Sequence, residues 1–391
     1  MKKITILTAL FLSLLVNKTF SQEGNDTIVY LITCNPGTET YSIYGHSALR
    51  IVDNVSHTDI VYNWGVFDFN TPNFGWKFAK GRLDYMLIEE DMEDFLRTYH
   101  YEKRAVFSQR ANLKSSEIKT LISLIQFNLR PENVKYRYDF FYDDCSTRIR
   151  DLFEKSLGNR LVYPPQDLSE NLTFRDLIGK YQQPFPWLRF GIDLLIGSPA
   201  DKLASFRDKM FLPLEMKNGL SQAVINREGK MVPLLQNPET LLDFDIPDVN
   251  ASRLFSPENV FSAFLILLVI LIPLIKKRKI IDILDITVLF IFSLLALLLI
   301  FFNFFTDHQQ LRMNLNIIWL NPLIIVCFLL ILFKKEGILW FRILFAVSAI
   351  FLVIHLLLPQ DFNNGILPLV LILVYRTSAR SAFGWNPFTL K

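Results

Sequence analysis

Apolar positions along this chain follow two regimes. Between residues 22 and 255 they recur at the short spacings of a water-soluble fold, with dense aromatics and mixed charge. From Ser256 onward they merge into five runs, at about 260–275, 283–305, 317–333, 338–358 and 365–375. A helix that crosses a bilayer needs about 20 such residues, so an all-α domain of five transmembrane helices is expected over 256–391. Ser256-Pro257-Glu258 reads as its first helix start, with a cap, a first-turn proline and an acid at the positive dipole end. The fifth run is short, with apolar residues on both sides of Pro368.

The region 22–255 predicts an α+β domain. Thr27–Thr33 is a β-branched run that ends at the turn Asn35-Pro36-Gly37, and His46–Asp53 and Asp59–Trp64 follow as strands. Weak alternation after His46 predicts a well-buried strand. Ser115–Leu129 reads as a helix capped by Ser115, with Ile118, Leu121, Ile122 and Ile125 at helical spacing and Pro131 beyond its end. Residues 164–248 mix helices with proline-containing loops in no order the pattern dictates.

Charge placement orients the chain. Met1-Lys2-Lys3, the apolar run from Ile4 to Val16 and the small Ser21 before a polar stretch describe a secretory signal at 1–21, cleaved after Ser21. Among the membrane runs, the gaps Lys276–Lys279, Lys334-Lys335 and Arg376–Arg380 are basic, whereas 306–316 and 359–365 are polar with little net basicity. That alternation obeys the positive-inside rule. It puts the soluble domain and the two polar loops outside and the C-terminus in the cytoplasm. The composition, 51% hydrophobic with 35 phenylalanines, fits a membrane protein, and a net charge of +3 is too balanced for a nucleic-acid partner.

Two segments carry the candidate chemistry. In Asp143-Asp144-Cys145-Ser146-Thr147-Arg148, Asp144 is a natural N-cap, and Ile149, Leu152 and Phe153 continue a helical stripe. Cys145 then occupies a first turn, where free N–H groups favour a thiolate. The flanking aspartates oppose this unless they turn to cap amides or to Arg148. A structural cysteine, or one bridged to Cys34, is the alternative, since exported proteins keep disulfides. His46 opens its strand and can reach a helix start packed across the sheet; a hydrogen-bonded edge histidine is the plainer reading. Of the five histidines, His57, His100 and His355 have no such setting, while His308 is a rival because its loop faces the soluble domain. Asn63 on the next strand, or Asp53, would orient the imidazole.

No metal-ligand spacing and no phosphate-binding glycine loop occurs. The aromatics of Trp64–Tyr85 read mainly as core, with an acyl-chain groove as the other use. Asn316, Asn321, Asp361 and Asn363 are more than loop solvation needs. They point either to a polar site at bilayer depth or to helix-to-helix hydrogen bonds.

The segments Leu31–Gly37, Tyr44-Gly45-His46-Ser47-Ala48-Leu49-Arg50, Tyr62-Asn63-Trp64-Gly65 and Tyr138–Arg148 resemble the N-terminal periplasmic domain of the Lnb family of bacterial lipoprotein N-acyltransferases. Leu315–Pro322 and Pro359–Asn363 resemble its membrane part. The domain is similar to circularly permuted NlpC-type and papain-like thiol hydrolases, in which histidine precedes cysteine. The resemblance implies an inner-membrane enzyme with Cys145 as nucleophile and His46 as base. It further implies a phospholipid acyl donor, diacylated lipoproteins as acceptors and no cofactor. Backbone N–H groups of Cys145 and Ser146 would hold the oxyanion, with Asp144, Arg148 and Tyr44 in support. A membrane-tethered thiol peptidase or amidase acting on cell-wall peptides is the competing expectation, and a scaffold stapled by Cys34–Cys145 is a third.

Overall fold

The computed structural model describes residues 26–165, 171–246 and 253–381; the expected signal and its cleavage point lie outside the described residues. The N-terminal part is built on a seven-stranded antiparallel sheet. Its strands are β1 (Thr27–Cys34), β2 (His46–Asp53), β3 (Thr58–Val66), β4 (Asp84–Asp91), β5 (Val106–Arg110) and β6 (Lys135–Arg137). β7 (Leu161–Val162), β8 (Val224–Arg227) and β9 (Lys230–Pro233) form a separate small sheet, and β10 (Glu239–Leu242) returns to close the large one. The large sheet runs β10-β5-β1-β2-β3-β4-β6, so β2 is central.

Both faces of that sheet are covered, which is why β2 alternates weakly. Val29, Leu31, Leu49, Ile51 and Trp64 pack beneath the helices Ser115–Leu129, Cys145–Leu157 and Pro213–Gln222. Ile32, Cys34, Ala48 and Val61 pack against Phe95 and Tyr99 of the helix Met92–Tyr101. The expected helix 115–129 is present, but Ser115 lies within its first turn. Lys114 is the cap residue, and its backbone N–H donates to the Glu117 carboxylate at 2.8 Å.

The C-terminal region is helical. Pro257–Leu274, Arg278–Phe304 and Ile338–Leu357 are long and apolar enough to cross a membrane. Ser256 caps the first, its hydroxyl accepting from the Asn259 N–H. The expected count of five is not confirmed among the described residues. The run 317–333 is broken at Asn321-Pro322, and its two helical pieces, Gln309–Ile318 and Leu323–Leu332, bend by 54°. Asn321 bridges the break, accepting from Leu323 N–H at 3.0 Å and donating to the Ile318 carbonyl at 2.8 Å. Ile366–Arg380 has 15 residues, short of a full span. Among the described residues, three helices are thus long and apolar enough to span, or four if the bent pair is one span.

Contacts among the helix ends agree with the charge pattern. Arg376 forks onto Asp285 at 2.6 and 3.2 Å, and Arg380 reaches Asp285 at 2.8 Å and also Asp282. The basic end of the last helix therefore meets the start of the helix that follows Lys276–Lys279. Arg342, seven residues past Lys335, donates to the Ser381 carbonyl at 3.1 Å, which draws the third basic gap to the same side.

At the opposite ends, the polar loops grip the sheet domain. Asn314 and Asn316 both donate to the Leu194 carbonyl, at 2.9 and 3.2 Å, satisfying an end carbonyl of the helix Pro186–Leu195. Arg175 forks onto Asp201 at 2.8 and 3.0 Å and reaches Asp193 at 3.3 Å. Asn363 donates to Asp193 at 2.8 Å, and the Asp361 backbone N–H donates to Asp201 at 3.1 Å.

Replacing Asp285 with Asn would leave two arginines short of their counter-charge in a site where Asp285 and Arg376 are almost wholly buried. Loss of about 3 kcal/mol or more is expected, read as a lowered midpoint of thermal unfolding in detergent. An unchanged midpoint would remove this cluster from the stability of the bundle.

Candidate active site

Cys145 is the first residue of its helix, and the turn that precedes it is held on every side. The Asp144 carboxylate accepts from the Thr147 N–H at 2.8 Å, while Thr147 Oγ1 accepts from the Asp144 N–H at 2.7 Å. This reciprocal cap closes the helix start. Arg148 forks onto Asp143 at 2.6 and 2.9 Å and lies 3.5 Å over the Tyr136 ring. Both aspartates are thereby engaged away from the sulfur. Backbone N–H groups of Ser47 and Ser146 face the sulfur and favour its charged form, and Ser146 Oγ lies 3.9 Å from it. Ser146 Oγ also donates to Ser47 Oγ at 3.4 Å, tying the helix start to β2.

His46 is placed by its neighbour. Gly45 has φ +83°, and a Cβ there would stand 2.8 Å from the Cys34 carbonyl oxygen, so only glycine lets the chain enter β2 this closely. The His46 imidazole meets Asn63 through Nε2 at 2.7 Å, and Asn63 Nδ2 donates to Glu90 at 2.8 Å. A carboxylate only accepts, so Glu90 orients the Asn63 amide with its oxygen toward the ring. Nε2 then carries the proton, and Nδ1 keeps the lone pair. The charges around the ring are Arg104 and Glu90 on one hand and Asp144, the cap of the thiol helix, on the other. No hydrogen bond joins His46 to Cys145; they are linked through Ser47, whose N–H meets the sulfur. Glu90 was missed in the sequence, where it is one acid in the run Glu89-Glu90-Asp91.

Burial favours the uncharged form of both groups. Burial pushes the Cys145 thiol up, against the N–H groups that pull it down, and burial pushes the His46 imidazole down. Burial therefore works against the thiolate that the helix start favours. Asp144 is raised well above the usual carboxylate range, first by burial and then by the adjacent sulfur. Cys34, Cys145 and Cys327 are all free thiols, so the Cys34–Cys145 staple is not formed. Cys34 lies fully buried, pushed up to about 12 by its burial.

The remaining candidates sit elsewhere. Tyr44 accepts from Gln182 at 2.8 Å and packs on Phe140, supporting the loop before His46 from outside the site. His308 contacts the Phe78 carbonyl through Nε2 at 3.0 Å, in the seam between the two regions. Asn316 accepts from Trp319 Nε1 at 2.9 Å besides holding Leu194, and Asn363 serves Asp193. These polar groups bind the sheet domain to the membrane helices rather than one helix to another. Beside the thiol helix opens a groove of about 370 Å³, its lining rich in charge: Asp143, Arg148, Asp151 and Lys155.

Residues 21–177 match the Lnb N-terminal periplasmic domain, and residues 249–383 match the Lnb transmembrane domain. The chain belongs to the Lnb family. His46, Asn63, Glu90 and Cys145 all fall within the first Lnb match, and the loops that grip the sheet domain fall within the second. No significant match was found among curated proteins or solved structures. This Lnb chain is thus a membrane protein with a periplasmic N-terminal domain.

A neutral resting thiol has a direct readout. Alkylation of Cys145 by iodoacetamide, followed by peptide mass spectrometry, is expected to be slow at neutral pH. Its rate should keep rising beyond the ordinary thiol value of about 8.5. A fast, pH-independent rate below pH 7 would instead show a thiolate–imidazolium pair.

Proposed function

We propose that the protein is a lipoprotein N-acyltransferase of the inner membrane, working through a Cys145 thioester. The observation that carries this reading is the capped, buried thiol beside the His46–Asn63–Glu90 chain, in a domain gripped by the outer loops of membrane helices. Histidine on a strand before cysteine on a helix start is also the order of the permuted NlpC-type and papain-like thiol folds.

In the first half-reaction Sγ attacks the ester carbonyl of a phospholipid. His46 Nδ1 takes the thiol proton as the S–C bond forms. The ester C–O bond then breaks, and the proton passes from His46 to the departing lysophospholipid oxygen. In the second half-reaction the free amine of a diacylglyceryl-cysteine attacks the thioester. The C–N bond forms, the C–S bond breaks, and the amine proton returns through His46 to the sulfur. The sum is phospholipid plus amine giving lysophospholipid plus amide, with the enzyme unchanged. A thiol that is neutral until its base approaches suits this role, because contacts between catalytic groups often tighten only when substrate is bound. Backbone N–H groups at the helix start supply charge stabilisation for the tetrahedral oxyanion. Burial of the sulfur disfavours water as acceptor.

The decisive experiment incubates purified protein with phospholipid and a diacylated lipopeptide that has a free N-terminus. Wild type should add one fatty-acyl group by mass, and Cys145→Ala and His46→Ala should not. Silence from folded wild type would favour the cell-wall peptidase or amidase. Acylation by Cys145→Ala would leave the enzyme and discard its nucleophile.

A second prediction concerns the base. Glu90 raises the basicity of His46, so Glu90→Gln should lower it further. The acid limb of the rate profile then moves to lower pH. A limb that stays in place would exclude Glu90 from the relay.

A further inference from the structure

The helix Phe74–Lys80 buries none of its side chains in the protein. Trp76 is 60% exposed, Phe78 54%, and Phe69 beside them 70%. Aromatic surface of this density marks a contact with an apolar partner or phase. The adjoining membrane helix identifies the phase. Trp76 packs 5.5 Å from Phe301 of Arg278–Phe304, and the Lys80 ammonium lies over both rings at 5.4 and 5.6 Å. Lys80 Nζ donates to the Phe305 carbonyl at 2.8 Å, and Arg82 pairs with Asp307 at 2.7 Å. Tryptophan and lysine in this arrangement are interface anchors, with rings in the apolar layer and charge at its edge. The short helix therefore lies level with the outer end of a membrane span.

From that level, aromatic rings run to the thiol without a break. Phe78 stacks on Phe74 at 6.4 Å, Phe74 meets Phe67 at 5.7 Å, Phe67 meets Tyr85 at 5.2 Å, and Tyr85 stacks on Tyr138 at 4.4 Å. The row ends at Gly65. A Cβ on Gly65 would lie 3.7 Å from the Tyr138 ring, 3.7 Å from Cys145 Cβ and 4.0 Å from the Tyr136 hydroxyl, and φ +88° keeps a glycine there. The Tyr136 hydroxyl is buried and has no hydrogen-bond partner. Leaving such a donor unmet is costly, and a carbonyl oxygen beside Gly65 would meet it.

We propose that this row is an acyl-chain track. One chain of a bilayer phospholipid enters between Trp76 and Phe78, lies along Phe67 and Tyr85, and sets its ester carbonyl in the cradle over Gly65, where Tyr136 donates to it. The track rests on the acyl-transfer reading for what happens to the ester, but lipid occupancy needs no turnover. The polar groove beside the thiol helix is the wrong lining for the chain; the aromatic row is the right one. It also corrects the expectation that the aromatics of 64–85 are mainly core: Trp64 is core, while Phe69, Trp76 and Phe78 are not.

The test uses full-length Cys145→Ala protein in nanodiscs of phosphatidylethanolamine with a mid-chain diazirine on the acyl group. After irradiation, adducts are expected on peptides bearing Phe67 and Tyr85, as well as on the membrane helices. The double variant Trp76→Glu, Phe78→Glu should lose the first set and keep adducts on Ile338–Ile354, which also reports that the bundle is intact. Adducts confined to the membrane helices in the parent protein would overturn the track, whatever the outcome of the lipopeptide assay. Adducts on the track in a protein whose wild type fails to acylate would sustain the track and sink the reaction. Tyr136→Phe, in the Cys145 background, should slow thioester formation about 100-fold with its adduct pattern unchanged. An undiminished rate would remove Tyr136 from the cradle.

Discussion

The structure depends on one constraint: polar groups at the outer ends of membrane helices must find partners, and here they find them in the sheet domain. Asn314 and Asn316 are almost wholly buried, and an unsatisfied amide at that depth would cost on the order of 1–3 kcal/mol. Both donate to the last turn of the helix Pro186–Leu195. Asn363 does the same for Asp193, which shares Arg175 with Asp201. The seam therefore satisfies both regions at once, and neither side is complete without the other. Its consequence is positional. The domain that carries Cys145 is held against the loop ends of the membrane helices.

Within that frame, burial sets the character of the site. The helix start offers the sulfur N–H groups from Ser47 and Ser146, which favour charge, yet the low-dielectric surroundings outweigh them. The same burial lowers the imidazole. Burial thus favours the uncharged form of both groups, and for a thiol that is the less reactive form. Arg148 contributes indirectly: it takes the Asp143 charge out of the sulfur's field and seats the Tyr136 ring beside Gly65.

Much of this was legible in local pattern. Asp144 capping a helix that opens on Cys145, Ser256 opening the first membrane helix, and a strand beginning at His46 all depend on interactions within a few residues, and the structure contains each. Asn63 beside His46 followed from strand adjacency, since β2 and β3 pair. The polar loops were visible as an excess of amides, but their partners were not. The residues they bind, Leu194, Asp193 and Asp201, lie in the stretch whose order the pattern left open. A hydropathy window hides the bend at Asn321-Pro322, because it averages over a single proline and the amide beside it.

By itself the sequence displays the two regimes, the charge bias that orients the chain and the local settings of Cys145 and His46, because hydropathy, charge bias and caps act over short spans of chain. Tertiary structure decided what those residues experience. Whether Cys145 is a thiol or a thiolate depends on how many groups crowd it, which is a property of packing rather than of spacing. Glu90 meets Asn63 only because the β3–β4 register brings the two together. The aromatic row joins residues 67 to 85 with Tyr138 and ends beside Cys145, and no periodicity in the chain relates those positions. Long-range contacts of this kind follow from sheet register and helix docking, and local sequence carries little of either.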